Sequence, residues 1–190
     1  MCLPVRWVTF LFLVYRNPGA SANTFMKEVL SMSVEAVKEY LKPFGLSGQV
    51  LELAESSATV ELAALALGCE GKRIAKTLSF MGPAGPLLVV AAGDARVDNH
   101  KFKAQFGLKA KMLTPEQAVE LVGHAVGGVC PFAVNEGVEV WLDESLRRFE
   151  TVFPACGSAN SAIELTIPEL ERYAAPKGWV DVCKGWNDPA

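Results

Sequence analysis

The stretch Arg73-Ile-Ala-Lys76-Thr-Leu-Ser-Phe80, followed by Gly82-Pro-Ala-Gly85-Pro86 and the run Leu87-Leu-Val-Val-Ala-Ala92, decides the fold. Two apolar segments flanking a glycine- and proline-rich turn predict an antiparallel hairpin with strands over 74–80 and 87–92. Its first strand carries a lysine among Ile74, Leu78 and Phe80. An inward ammonium there loses solvation unless it meets a phosphate, a carboxylate or a developing oxyanion. On the solvent side it would snorkel along the sheet instead.

Working outward, helix and strand patterns alternate. Ser33 is read as the cap of a helix to about residue 44, with Val34, Val37, Tyr40 and Leu41 on one face and Gly45 closing it. Residues 49–54 read as a strand. Thr59 either caps the helix predicted over 60–67 or lines a pocket at its mouth, and Gly68 ends that helix. Asp98 opens a basic helix to residue 106, and a short strand follows over 108–112. Thr114-Pro-Glu-Gln117 carries the threonine, first-turn proline and glutamine of a capping box, so a helix runs to about residue 122. Strands follow over 138–142 and 151–154, flanking a short helix over 143–149 that Asp143 either caps or leaves in order to orient a pocket group. Another strand spans 162–167, and Pro168 begins the last helix. Strands that arrive both as a hairpin and through helices imply a mixed sheet in an α+β domain.

The second informative segment is Val126-Gly-Gly-Val-Cys-Pro131-Phe-Ala. Gly127-Gly128 lets the backbone approach a ligand with its N–H groups exposed, and Pro131 stiffens the exit. Cys130 is either a thiol nucleophile or a small core residue. His124 is either a general base or a structural group at the end of the preceding helix. Gly123, Gly127 and Gly128 make no dinucleotide fingerprint, because the first-strand context and the later acidic residue are missing.

Lys76-Thr77-Leu78, the glycine loop from Gly127 to Pro131 and the turn Gly157-Ser158-Ala159, in that order within about residues 34–173, make the chain similar to the YbaK and prolyl-tRNA-synthetase-associated editing domains. The resemblance implies a single domain in which a mixed, curled sheet surrounds a pocket and helices pack outside. It implies hydrolysis of amino acids wrongly attached to proline tRNA, with no cofactor and no metal. The sequences Gly-Gly-Val-Cys-Pro-Phe-Ala and Gly-Ser-Ala-Asn-Ser are similar to a free-standing subgroup rather than to cysteine-specific YbaK proteins. Carried onto this chain, Lys76 and the backbone of Gly127, Gly128, Val129 and Cys130 become the catalytic set. Thr59, Thr77, Pro131, Phe132, Gly157 and Ser158 become substrate contacts. Lys72, Arg73, Lys101 and Lys103 become tRNA contacts, or else a solvated basic face. The expected substrate carries a small residue such as alanine or serine, and the expected partners are the aminoacylated tRNA end and prolyl-tRNA synthetase. A non-catalytic module that binds the same ligand, as sensor or synthetase partner, is the alternative.

Composition bounds these readings. The chain has 190 residues, 51% hydrophobic and 21% charged, a size and balance suited to one globular domain. Eighteen basic against 21 acidic side chains give a net charge of −3, so any RNA contact is local rather than a property of overall charge. Five irregularly spaced cysteines make no disulfide framework or zinc pattern, which points to a reducing, cytoplasmic compartment. Residues 1–31 read as an extension to a domain over 32–190. The apolar run from Trp7 to Tyr15 is too short to span a bilayer comfortably, and Met26 and Met32 offer later starts. A chain beginning at either methionine is expected to fold as well as the full one.

Overall fold

The computed structural model describes residues 33–54 and 59–187, so the expectations placed on the extension lie outside the described residues. In chain order the strands are β1 (Leu51–Glu52), β2 (Ile74–Met81), β3 (Pro86–Ala92), β4 (Arg96–Val97), β5 (Glu139–Asp143), β6 (Thr151–Pro154), β7 (Ser161–Ala162), β8 (Leu165–Thr166), β9 (Gly178–Val180) and β10 (Cys183–Lys184). The helices are α1 (33–41), α2 (Val60–Leu67), α3 (Asn99–Phe106), α4 (Pro115–Gln117) and α5 (Ile167–Ala174).

The hairpin forms as its sequence predicts, with seven register pairs from Ala75↔Ala92 to Met81↔Pro86. It sits at the middle of a mixed six-stranded sheet ordered β8-β6-β2-β3-β5-β9. β6 runs parallel to β2, and β5 parallel to both β3 and β9. β3 is buried on both faces, with every residue from Leu88 to Ala92 at 0% exposure, which explains why its sequence is a continuous apolar run rather than an alternating one. On the face bearing Phe80, α3 closes the core through Phe102, whose ring lies 4.9 Å from that of Phe80. Phe106 of α3 meets Trp141 of β5 edge-on at 5.7 Å. On the opposite face α1 packs through fully buried Val37 and Leu41, and Tyr40 donates to the Tyr173 carbonyl at 2.8 Å.

Local capping chemistry set most boundaries. Thr59, Asp98, Thr114 and Thr166 each accept from first-turn N–H groups, and both threonine–proline starts, Thr114 and Thr166, complete capping boxes. Four expectations need correction. Ser33 is already helical and its side chain is buried, so it does not cap α1; that helix gives way to a 3-10 turn at Lys42–Phe44 before Gly45. The strand expected over 49–54 shrinks to β1, which pairs only with β7. The strand expected over 108–112 reduces to a Phe80–Met112 bridge, and the one over 162–167 splits into β7 and β8. In each case short apolar runs lacked a partner strand long enough to extend them.

Candidate functional site

Lys76 and Thr77 diverge from the same strand. Register puts Thr77, Val90 and Leu142 on one face, and Lys76 and Ala91 on the other. The Lys76 face is that of α3, since Leu78, Val89 and Trp141 share it. The half-buried Lys76 ammonium donates to the Gly93 carbonyl at 2.9 Å. Burial lowers its pKa below the ordinary lysine value, with smaller opposing contributions from Cys183 and Asp94. No carboxylate within ion-pair distance neutralises it among the described residues. The inward reading of the sequence therefore holds, but the partner is a neutral carbonyl at the end of β3, which no local signal announces.

The glycine loop lies elsewhere. Pro131 and Ala133, with Ala36 and Tyr40 of α1 and Val140 of β5, line a cavity of about 430 Å³. Val140 shares a face with Leu88 and Ser79, hence with Thr77 and not with Lys76. Among the described residues no hydrogen bond or ion pair joins Lys76 to the loop. β2 also has an open edge. β6 pairs with β2 only at Ile74 and Ala75, and residues 111–113 meet β2 only from Ser79 onward, through Leu113 N–H to Ser79 O and Met81 N–H to Lys111 O. Main-chain groups of alternate residues leave a strand on the same side, so the N–H and C=O of Thr77 point into that gap. The Thr77 hydroxyl is buried beside it and has no hydrogen-bond partner among the described residues. An orphaned hydroxyl next to an open edge is the kind of group that a bound ligand satisfies.

The loop itself is held by close packing. A Cβ on Gly128 would stand 2.6 Å from the Gly157 carbonyl, and one on Gly157 would stand 2.6 Å from the Ser33 carbonyl oxygen, so three backbones stack without side chains between them. Gly128 N–H is spent on the Ala125 carbonyl at 3.0 Å, which removes it from the expected set of carbonyl-facing donors and leaves Val129 as the half-buried member. Phe132 is fully buried against Tyr40, and Pro131 faces the α1 cavity; both support the loop from behind rather than contact a ligand near Lys76. The Ser158 hydroxyl bonds within its own turn, with Asn160 Oδ1 and the Ser161 hydroxyl. Thr59 is exposed and caps α2.

Cys130 is completely buried, and desolvation pushes its thiol up to about 12, so almost no thiolate exists at neutral pH. That burial favours the core-residue reading over the thiol nucleophile. Cys130→Ala is expected to keep most catalytic activity and to lower stability by on the order of 1 kcal/mol through lost packing; activity assays and thermal melting check both. Asp143 is also fully buried: one oxygen accepts from Ser145 N–H, the other from Val182 and Cys183 N–H, so it ties β5 to the C-terminal segment.

The basic residues separate into tethered and solvent-facing groups. Arg73 bonds Thr151 and Glu164 and lies over the Phe153 ring, pinning β2 to β6. Lys101 reaches Asp181 at 2.7 Å and the Cys183 carbonyl at 3.0 Å. Both are tied within the protein. Lys72 pairs with Glu70 on the surface, and Lys103 is exposed on α3, as are Lys109 and Lys111 after it. Lys101→Ala is thus expected to lower the melting temperature, whereas Lys103→Ala should leave melting unchanged and raise KM for charged tRNA a few-fold in low salt.

A profile of the aminoacyl-tRNA editing domain matches residues 54–173. The chain belongs to the aminoacyl-tRNA editing domain family. Its relatives in that family include the uncharacterized protein YwhH of Bacillus subtilis, 51% identical over 82% of this chain and 100% of YwhH. The multifunctional Ser/Thr-tRNA deacylase ProXp-y of Escherichia coli is 24% identical over 66% of this chain and 76% of its own length. A solved structure of a candidate trans-editing enzyme for prolyl tRNA synthetase superimposes with a TM-score of 0.73 at 32% identity, covering 80% of this chain and 98% of that one. The editing-domain fold, with its α+β architecture and mixed curled sheet, is therefore the one that the resemblance implied. Among the described residues no group of three or more His, Cys, Asp or Glu side chains is placed to hold a metal, and no helix is long and apolar enough to cross a membrane.

Proposed function

We propose that this protein is a trans-acting aminoacyl-tRNA deacylase that removes a small non-cognate amino acid, such as alanine or serine, from tRNA(Pro), without a protein nucleophile. The observation that carries this reading is Lys76: a half-buried ammonium without a carboxylate partner, at the open edge of β2. An aminoacyl ester is already activated, so its hydrolysis needs a placed water and stabilisation of the tetrahedral oxyanion. Lys76 supplies a positive charge for the oxyanion or for the terminal phosphate. The N–H of Val129 approaches from the loop side, and Thr77 offers its main chain and orphaned hydroxyl to the aminoacyl group. Water adds to the ester carbonyl, the carbon–oxygen bond to the ribose breaks, and the proton passes to the leaving ribose hydroxyl. Lys72 and Lys103 guide the RNA backbone at the rim. The names of ProXp-y and of the prolyl trans-editing structure support the ester and the tRNA system.

Deacylation of tRNA(Pro) charged in turn with alanine, serine, cysteine and proline tests the reading. The expected result is hydrolysis of a small non-cognate ester at least tenfold faster than of prolyl-tRNA. Tight binding of the charged ends with no hydrolysis would replace the enzyme by a binding module.

A further inference from the structure

The buried side chain that the reaction leaves unused is His124, at 0% exposure between α4 and the glycine loop. Gly123, and not His124, closes the preceding helical turn, with its N–H on the carbonyls of Ala118 and Val119. The imidazole instead spans the loop. Its Nε2 stands 2.8 Å from the Phe132 carbonyl and 3.6 Å from the Cys130 thiol, at the far end of the loop. Its Nδ1 stands 2.5 Å from the Ser33 hydroxyl of α1. A carbonyl can only accept, so Nε2 carries a proton and donates to Phe132, while the Ser33 hydroxyl is the partner of Nδ1. Ser33 meets the same loop a second time, because its backbone packs on Gly157 and Gly157 packs on Gly128.

We propose that His124 is the positioning residue of the site: an Nε2-protonated latch that fixes residues 125–132 against α1 and so sets where the loop presents its N–H groups. The inference rests on reading that loop as the carbonyl-facing half of the deacylase. The physical ground is leverage. Residues 125–131 bridge two points that one imidazole holds, and a displacement of about 1 Å in a group that stabilises a transition state costs roughly a hundredfold in rate. The latch touches no substrate, so its loss should act on kcat rather than on KM.

The test uses the full chain with His124→Leu, His124→Gln, His124→Asn and Ser33→Ala, each read by deacylation kinetics and by amide hydrogen exchange of residues 127–130. His124→Leu is expected to lower kcat roughly ten- to a hundredfold, with KM within twofold, and to speed exchange of the loop amides. Glutamine carries an N–H donor to about the depth of Nε2 and should recover a large part of both properties. Asparagine reaches only the Nδ1 position and should not. Ser33→Ala removes the α1 end of the latch and leaves little void, so it should speed loop exchange even if His124→Leu does not fold. Wild-type kcat and loop exchange in folded His124→Leu, or in Ser33→Ala when the leucine variant is unfolded, would overturn the latch. So would equal behaviour of the glutamine and asparagine variants. Absence of deacylation in the wild-type protein would instead count against the functional reading, and the exchange data would still decide the latch.

Discussion

Lys76→Ala is expected to lower deacylation by about a hundred- to a thousandfold, the scale on which one preorganised stabiliser of a tetrahedral oxyanion acts. The size follows from the site: burial already holds this ammonium below its usual pKa, and its only hydrogen-bond partner among the described residues is a neutral carbonyl. A developing negative charge is therefore the strongest partner it can gain. Lys76→Arg separates the two roles of the charge. A planar fork on a longer side chain should restore little activity if the target is a carbonyl oxygen that needs a compact ammonium, and more if it is a phosphate. Circular dichroism and melting of each variant come first, because the lysine methylenes also pack on the sheet. Wild-type rates in folded Lys76→Ala would place the chemistry elsewhere while leaving family membership intact.

Gly128→Ala should be nearly as damaging, for a steric rather than an electrostatic reason. The added methyl would lie 2.6 Å from the Gly157 carbonyl carbon, the Gly157 oxygen and the Ser158 Cα, all of them backbone atoms with no rotamer to yield. The loop or the Gly157 turn must shift, and overpacking of this kind costs about 1–3 kcal/mol. A displaced loop should cut kcat at least tenfold, with melting lowered in parallel. Gly48→Ala is the control, since a Cβ there meets nothing within 4 Å and its φ is not positive. An unaltered kcat in Gly128→Ala would mean that the loop does not set the geometry of the reaction.

The hairpin, the three helix starts capped by Thr59, Asp98 and Thr114 and the mixed sheet were legible because their signals are local. Capping oxygens act within three residues, and a continuous apolar run such as Leu87 to Ala92 marks a strand buried on both faces wherever it sits in the chain. Lys76 was legible as a half-buried cation for the same reason, since a cation in an apolar strand is costly by itself. The role of Cys130 was not, because a thiol becomes nucleophile or core residue according to a burial that residues 33, 124 and 157 jointly impose. The basic residues divided likewise: Arg73 and Lys101 read as surface charges until Glu164 and Asp181, each at least 80 positions away, arrived beside them. Sequence alone determined the family, the strand bearing the lysine and the glycine loop. Only the tertiary structure decided that Lys76 and Thr77 leave β2 on opposite faces, that the edge of β2 is open at Thr77, and that a histidine bonds to Ser33 and to the Phe132 carbonyl. Those facts depend on sheet register and on contacts between distant segments, which local propensity does not encode.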